Sequence, residues 1–148
     1  MLKYSKEVNK ALRFMIKAHE GQVDKQGLPY LIHPLSVASD MENETLTVIA
    51  LLHDVLEDTD YTEEDLLNEG FSVEVVDALK LLKHEHGVPY LEYVENLKHN
   101  DMARRVKIAD LKHNLILERF DGEIPQHVLD KMRDCYFPAL RILGELKN

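Results

Sequence analysis

Apolar residues recur at three- and four-residue steps along most of this chain, which is the spacing typical of amphipathic α-helices. The first such stretch runs from Ser5 to Glu20 and places Val8, Leu12, Met15, Ile16 and Ala18 mostly at these steps. Residues 21–30 contain two glycines and a proline, and therefore predict a loop. No stretch alternates between apolar and polar residues for long enough to predict a β-strand.

Further stretches predict helices, and several begin with recognisable residues. Pro34 suits the first turn of a helix that continues to Met41. Residues 45–56 are apolar on almost all sides, which predicts the central buried helix. The next predicted helices are a short one opened by Thr62 and Asp65 as a capping box, Val73–Leu82 after Ser72, Tyr90–Lys98, and Met102–Phe120 capped by Asp101. The last covers residues 125–146, where Pro138 predicts a kink or a split.

The number and order of these elements predict a single all-α helical bundle. A length of 148 residues suits one domain whose core needs no disulfide bond. The chain has one cysteine, Cys135, so no disulfide can form within it. We expect this cysteine to be a passive thiol near the core.

The charge of the chain restricts its partners. The net charge is −9, with acidic residues spread along the sequence. This argues against a nucleic-acid polymer, which needs a basic surface, and against an anionic membrane. No apolar run approaches the ~18 residues of a membrane span, and the N-terminus lacks a signal-peptide core. We therefore expect a cytoplasmic protein, and the sequence gives no indication of its oligomeric state.

Four ionisable residues follow the most apolar segment, where charge is costly unless it is paired or bound to a metal. They are His53, Asp54, Glu57 and Asp58. We predict that all four lie on one helix, where residues four positions apart are stacked neighbours and two adjacent columns present one imidazole and three carboxylates. His53 and Asp54 are therefore candidate ligands of a divalent cation. Glu57 and Asp58 would lie one turn further on, within reach of a water or the substrate.

Two ligands are too few for tight binding, so other segments must contribute. Asp110 lies in an apolar helical context that should face inward, and His113 and Asn114 follow it on the same face. His33 precedes Pro34 at a loop-to-helix junction, where a side chain can point into a site. Taken singly, each residue has a simpler interpretation as a capping, surface or salt-bridged group. Mixed nitrogen and oxygen ligands suit Mn²⁺, Fe²⁺ or Zn²⁺ better than Mg²⁺ or Ca²⁺.

The other histidines have polar surroundings in the sequence. We expect them to be solvent-facing side chains rather than metal ligands: His19, His84, His86, His99 and His127.

Four motifs of the chain resemble the HD superfamily of metal-dependent phosphohydrolases, which is defined by the pattern H…HD…D. They read AHEGQ at residues 18–22, GLPYLIHP at 27–34, ALLHDVLEDT at 50–59 and KIADLKHN at 107–114. The resemblance is closest to the hydrolase domain of RelA/SpoT proteins and their small stand-alone relatives. It predicts one HD domain over residues 1–148, with a motif-bearing core at about 10–120 and a C-terminal helix at about 125–146.

The resemblance also implies a cofactor and a reaction. It implies that one divalent ion is held by His33, His53, Asp54 and Asp110. Mn²⁺ is the leading candidate, and Fe²⁺, Zn²⁺, Co²⁺ and Ni²⁺ are the others. The family reaction removes the 3′-pyrophosphate from guanosine tetra- or pentaphosphate. The leading predicted substrate is therefore guanosine 3′,5′-bis(diphosphate), a small-molecule nucleotide.

The same resemblance assigns roles to residues beyond the ligands. Glu57 and Asp58 match the acidic pair that handles the attacking water. Asn114 matches an asparagine near the ribose, and Lys25 and Tyr30 are candidate substrate-binding residues.

Three positions depart from the family pattern on the substrate side. Asp24 stands where the loop normally has an arginine, and Leu111 and Leu117 replace an arginine and a threonine. A carboxylate beside a polyphosphate should repel it, so these changes predict altered recognition of guanosine tetra- or pentaphosphate. Lys83 and Arg105 are cations that could compensate.

Other functions also fit the sequence. One is an HD-type nucleotidase or phosphatase that acts on another phosphoester, such as a deoxynucleoside monophosphate. Another is a non-catalytic sensor that binds a nucleotide through the metal, although such a binder has less need of Glu57 and Asp58. A purely structural helical domain would bind no metal.

Overall fold

The computed structural model describes residues 1–146, most of which lie in short helices. The α-helices are α1 (Lys6–Ala18), α2 (Ile32–Ala38), α3 (Glu44–Leu52), α4 (Val55–Asp58), α5 (Glu63–Asn68), α6 (Val73–Leu82), α7 (Tyr90–Leu97), α8 (Asp101–Asn114), α9 (Gln126–Lys131) and α10 (Phe137–Ile142). A 3₁₀ helix (Leu117–Arg119) follows α8, and a π-helical segment (Met132–Tyr136) joins α9 to α10. Residues 147 and 148 of the predicted domain lie outside the described residues.

The predicted all-α class is confirmed. Residues 1–146 contain no β-strand, only an isolated antiparallel bridge between Val23 and Pro29. This bridge closes the loop that follows α1. Of the helices described in this range, none has the length and apolar character needed to cross a membrane.

Helix α3 lies at the centre of the bundle. All seven residues from Leu46 to Leu52 are buried, and the helix packs against α1, α2, α6 and α8. Fully burying a leucine or isoleucine side chain contributes about 1.5–3 kcal/mol to folding. The apolar surface of α3 therefore holds its four neighbours in fixed relative positions.

The predicted helix over residues 45–56 is interrupted at His53 and Asp54. Nδ1 of His53 donates a hydrogen bond to the carbonyl oxygen of Ala50 at 2.6 Å. That carbonyl would bond the amide of Asp54 if the α-helix continued. The imidazole thus competes with the backbone, so α3 ends at Leu52 and α4 begins at Val55. The prediction that His53, Asp54, Glu57 and Asp58 share one continuous helix is wrong.

Helix α8 begins and ends earlier than the sequence predicts. Asn100 is its N-cap, and the helix ends at Asn114 rather than near Phe120. The guanidinium of Arg119, in the 3₁₀ helix, donates a hydrogen bond to the carbonyl oxygen of His113 at 3.2 Å. This contact supplies a partner to one of the acceptors at the end of the helix.

Pro138 divides the C-terminal helix, as predicted. A proline inside an α-helix removes one backbone donor and clashes with the preceding turn. Here the chain widens into the π-helical segment, in which the amide of Phe137 bonds the carbonyl of Met132. Pro138 then occupies the first turn of α10, where its missing donor is tolerated.

Truncation of Leu51 to alanine is expected to lower the free energy of unfolding by about 2–5 kcal/mol, because Leu51 is 0% exposed at the centre of the core. Leu67→Ala is the matched control, since Leu67 is 44% exposed. Urea unfolding followed by circular dichroism measures both values. Equal losses in the two variants would contradict a core centred on α3.

Candidate metal centre

The four candidate ligands come from three parts of the bundle. His33 lies in the first turn of α2, His53 and Asp54 lie between α3 and α4, and Asp110 lies near the end of α8. Nε2 of His33 is 2.8 Å from Oδ1 of Asp110 and 3.2 Å from Nε2 of His53. Nε2 of His53 is 3.1 Å from Oδ2 of Asp54 and 3.4 Å from Oδ1 of Asp110. The structure therefore brings all four side chains to one point.

The spacing of these atoms suits a divalent cation. Metal–ligand bonds of about 2.0–2.2 Å separate neighbouring ligand atoms by roughly 3.0–3.5 Å. The separations given above run from 2.8 to 3.4 Å, and Nε2 of His33 lies 3.7 Å from Oδ2 of Asp54. His33, His53 and Asp110 are only 6%, 4% and 6% exposed. Two imidazoles and two carboxylates at this spacing, largely shielded from water, form a donor set that fits a metal ion.

Hydrogen bonds behind the imidazole rings determine which nitrogen faces the centre. Because the carbonyl of Ala50 can only accept, Nδ1 of His53 carries a proton and Nε2 is the nitrogen that faces the centre. Nδ1 of His33 lies 2.6 Å from Nδ1 of His113. Burial and the positive charge of Arg119 lower the pKa of His113 to about 4, so its neutral ring can accept this bond. Such orienting contacts are typical of metal-binding histidines.

Lys107 positions the carboxylate of Asp110. Its ammonium group donates a hydrogen bond to Oδ2 at 2.9 Å, which leaves Oδ1 facing the histidines. Burial alone would raise the pKa of Asp110, but the charge of Lys107 and the histidine hydrogen bonds hold it well below its usual range. The ammonium group also lies 5.7 Å and 5.3 Å from the ring centres of Tyr90 and Tyr93, within range of cation–π attraction. Asp110 thus stays ionised in the interior.

Asp54 is also kept in the ionised form that a cation requires. Burial would raise its pKa, but the charge and hydrogen bond of His53 outweigh this effect and lower it. The hydroxyl of Tyr30 donates a hydrogen bond to Oδ2 of Asp54. Burial, followed by the charge of Asp54, raises the pKa of Tyr30 far above its usual value, so this hydroxyl keeps its proton.

Glu57 and Asp58 lie beside the ligands on α4. Their carboxylates and that of Asp54 lie within 4.8 Å of one another. Oε1 of Glu57 accepts a hydrogen bond from the amide of His84 at 2.7 Å, and Oδ2 of Asp58 lies 3.4 Å from the Tyr30 hydroxyl. Burial and the charges of Asp54 and Glu57 raise the pKa of Asp58 to about 6. This carboxyl can therefore exchange a proton near neutral pH.

A cavity of about 860 Å³ opens onto this centre. Its wall contains every site residue assigned from the sequence: His33, His53, Asp54, Asp110, Glu57, Asp58, Lys25, Tyr30 and Asn114. The amide nitrogen of Asn114 lies 3.4 Å from Oδ1 of Asp110. The volume is within the range of small-molecule sites, about 300–1,000 Å³.

Asp24 has a structural role that the sequence does not reveal. Oδ1 of Asp24 accepts hydrogen bonds from the amides of Gln26 at 2.8 Å and Leu28 at 3.0 Å. These donors offset part of its charge and shape the loop that carries Lys25. Gly27 has a φ of +77°, a conformation that favours glycine in this turn.

The two proposed compensating cations lie elsewhere. Arg105 pairs with Glu42 and, at 2.9 Å, with Asp101 at the start of α8. Lys83 lies 3.9 Å from Glu85. Neither belongs to the described wall of the cavity, so the prediction that they compensate for Asp24 is not supported by their positions.

His19 corrects the prediction of a solvent-facing residue, because it is only 1% exposed. Its Nδ1 lies 2.9 Å from Oε1 of Gln22, whose amide donates to the carbonyl of Asp58 at 3.0 Å. The ring centre also lies 5.1 Å from that of Tyr30. His19 and Gln22 thus connect the loop after α1 to α4. The sequence does not predict this contact, because the residues next to His19 are polar.

Two other residues at the centre received no role from the sequence. Lys107 and His113 lie three positions before and three after Asp110, so they share its helical face. This spacing is the feature of the sequence that could have identified both residues as neighbours of the Asp110 side chain. The contribution of His84 is made by its backbone amide and has no signal in the sequence.

Curated proteins with two names, guanosine-3′,5′-bis(diphosphate) 3′-pyrophosphohydrolase and GTP pyrophosphokinase, are similar to this chain in sequence. No protein-family model matches it. It is 42% identical over 149 residues to a guanosine-3′,5′-bis(diphosphate) 3′-pyrophosphohydrolase of Haemophilus influenzae, covering 88% of the chain and 22% of that protein. A protein of the same name from Aquifex aeolicus is 44% identical over 98% of the chain and 23% of its own length. The chain therefore spans about a fifth of these relatives.

A solved structure shares the fold. It is described as a metazoan ortholog of SpoT that hydrolyses ppGpp, and it matches with a TM-score of 0.77 and 23% identity over 100% of this chain and 92% of its own. The helical bundle and its histidine–aspartate centre define an HD-type domain. The chain belongs to the RelA/SpoT branch of this superfamily, which confirms the predicted family.

Replacement of Asp58 by asparagine is expected to stabilise the metal-free protein above pH 6. Folding raises the pKa of Asp58 from 3.8 to about 6, so the ionised carboxylate disfavours the folded state at higher pH. Well below both values the carboxyl is protonated whether folded or unfolded, and the gain should vanish. Thermal unfolding in a chelating buffer at pH 8 and pH 4 measures the difference.

Asp77→Asn is the matched control, because Asp77 is an exposed carboxylate on α6. We expect a higher melting temperature for Asp58→Asn at pH 8 and a much smaller gain at pH 4. A lower melting temperature at pH 8, or equal gains at both pH values, would contradict the conclusion that folding raises the pKa of Asp58.

Proposed function

We propose that the chain is a metal-dependent phosphohydrolase that removes the 3′-pyrophosphate from guanosine 3′,5′-bis(diphosphate). The relatives named for this activity are 42% and 44% identical to the chain. The observation that carries the proposal is the meeting of two histidines and two aspartates with two further carboxylates in one nucleotide-sized cavity. We further propose that residues 1–148 act as a single HD domain on a small nucleotide rather than on a nucleic-acid polymer.

His33, His53, Asp54 and Asp110 would hold one divalent cation. Their two nitrogen and two oxygen donors suit Mn²⁺, the leading candidate, as well as Fe²⁺, Zn²⁺, Co²⁺ and Ni²⁺. When bound, the ion would supply positive charge that polarises a phosphoryl oxygen and makes water more acidic. Lys107 and His113 support this role by orienting Asp110 and His33.

Glu57 and Asp58 would handle the protons of the reaction. A water oxygen bonds to the phosphorus next to the ribose, and the bond from that phosphorus to the 3′-oxygen breaks. Asp58, whose carboxylate lies beside those of Asp54 and Glu57, would accept the proton that the water loses and return it to the 3′-oxygen. Glu57, fixed by the amide of His84, would orient the water. The products are guanosine 5′-diphosphate and pyrophosphate.

Lys25, Tyr30 and Asn114 would bind the substrate. All three contribute to the cavity wall. Asn114 lies beside Asp110, a position suited to holding the ribose next to the reacting phosphorus. Tyr30 bridges the carboxylates of Asp54 and Asp58, so its hydroxyl also fixes the catalytic side of the cavity.

Product analysis tests the proposed reaction. Purified protein loaded with Mn²⁺ is incubated with guanosine 3′,5′-bis(diphosphate) and with a panel of other nucleotides, and metal content is measured in parallel. Release of pyrophosphate from the first compound is the expected result. Release of orthophosphate from another nucleotide would favour a different phosphoesterase. Binding without turnover, in protein with confirmed metal, would favour a sensor.

Substitution of the carboxylates should separate metal binding from chemistry. Asp110→Ala and Asp54→Ala are expected to lose metal and activity together, because each removes a donor atom. Glu57→Gln keeps an oxygen for the His84 amide and is expected to retain metal while kcat falls about 10²–10⁴-fold. Metal analysis and steady-state kinetics measure the two properties.

Glu74→Gln is the matched control for Glu57→Gln, because Glu74 is an exposed carboxylate on α6. It should retain both metal and activity. Normal kcat in Glu57→Gln would refute the role assigned to Glu57. A full metal complement in Asp110→Ala would refute the assigned ligand set.

A further inference from the structure

The loop between α6 and α7, residues 83–89, reaches the metal centre through one backbone group. Lys83 follows α6 with an extended backbone (φ −81°, ψ +120°), so the helix ends there. The next amide, that of His84, donates a hydrogen bond to Oε1 of Glu57 at 2.7 Å. Residues 85–87 of the same loop are exposed. Because exposed loops are usually mobile, a contact to a catalytic carboxylate from this loop requires an anchor.

The imidazole of His84 supplies this anchor. Its ring stacks on that of Tyr93, with the ring centres 4.8 Å apart and an angle of 26° between the planes. The ring of Tyr90 approaches it edge-on, with the centres 5.7 Å apart. Nε2 of His84 lies 2.5 Å from the carbonyl oxygen of Val88, which can only accept, so this nitrogen donates. The side chain of His84 therefore ties the start of the loop both to its far end and to α7.

Tyr93, on which the imidazole rests, is itself held in place. Its side chain is buried, and its hydroxyl donates a hydrogen bond to the carbonyl oxygen of Leu82, the last residue of α6, at 2.7 Å. The ammonium group of Lys107 lies 5.3 Å from the ring centre of Tyr93. The same ammonium group donates a hydrogen bond to Oδ2 of Asp110. The surface that receives the His84 ring is thereby joined to a candidate metal ligand.

Glu57 depends on a partner of fixed position. Its side chain is exposed and has several rotatable bonds, so holding its carboxylate in one place costs conformational entropy. The hydrogen bond from the amide of His84 offsets part of this cost. In the resulting position, the carboxylate of Glu57 lies within 4.8 Å of those of Asp54 and Asp58. The placement of one backbone amide therefore decides where the carboxylate of Glu57 meets a water molecule.

We propose that His84 is a positioning residue for the reaction, because its imidazole, held by Tyr93 and Val88, aims the backbone amide that orients Glu57. This inference rests on the proposed function, in which Glu57 orients the attacking water. The imidazole of His84 does not react in this scheme. It acts through Glu57, and it connects the loop between α6 and α7 to the catalytic side of the cavity.

Replacement of His84 by alanine keeps the backbone amide and removes its anchor. We expect kcat to fall about tenfold or more, because a displacement of about 1 Å near the reacting groups can cost up to 10²-fold. KM should change by less than about twofold, since Glu57 acts on water rather than on the bound nucleotide. Metal content should stay the same, because no donor atom is lost. His84→Phe keeps the ring stack and should recover part of the loss in kcat.

A double-mutant cycle separates positioning from a general structural effect. His84→Ala is measured in the unmodified chain and in Glu57→Ala, where the amide has no carboxylate to orient. If His84 acts through Glu57, the two losses are not additive, and His84→Ala should lower kcat no further in Glu57→Ala. His86→Ala is the matched control, because His86 is exposed in the same loop. It should retain the kcat of the unmodified chain.

Unchanged kcat in His84→Ala, the same fold-loss in both backgrounds, or no recovery in His84→Phe would overturn the inference.

Amide hydrogen exchange followed by NMR tests the link between His84 and Glu57 without activity. If the unmodified chain turns over no nucleotide, the proposed function fails, and this measurement decides the structural link on its own. The amide at position 84 should be protected in the unmodified chain. It should exchange about tenfold faster in Glu57→Ala and in His84→Ala, after correction for intrinsic rates, because each variant weakens its hydrogen bond. Equal protection in the unmodified chain and in either variant would overturn the link.

Discussion

Two imidazoles and two carboxylates meet inside the helical bundle, and the free-energy cost of burying them constrains the structure around them. Lys107 stabilises the charge of Asp110, and the carbonyl of Ala50 fixes the ring of His53. The same contacts leave one donor atom of each side chain facing a common point. Helix α3 must pack tightly against α2 and α8, since a small shift of either would separate these atoms.

The sequence predicts which residues form the centre better than it predicts the backbone geometry around them. The four motifs fix the identity and order of the candidate ligands, because their residue types and spacing carry the chemistry. The helix break at His53 leaves no trace in the apolar pattern, since it arises from a side chain that competes with the backbone for one carbonyl. The burial of His19 is likewise hidden, because its partner Gln22 lies in the adjacent loop and is itself bound to the carbonyl of Asp58 on α4.

The sequence motifs say least about the part of the cavity wall that lies outside the candidate metal centre. Part of the cavity wall comes from the loop after α1, the 3₁₀ helix and α9, which are distant in the sequence. Periodicity cannot indicate that Arg119 and Lys131 line the same cavity as Lys25. Nor can it indicate that the carboxylate of Asp24 is engaged by the amides of its own loop. Changes at such positions can alter selectivity while the metal centre stays the same.

Anomalous diffraction from crystals soaked with Mn²⁺ tests the central claim most directly. We expect one strong peak between His33, His53, Asp54 and Asp110, with all four donor atoms about 2.0–2.4 Å from the ion. A peak bound by other residues, or no peak in crystals that retain this fold, would contradict it.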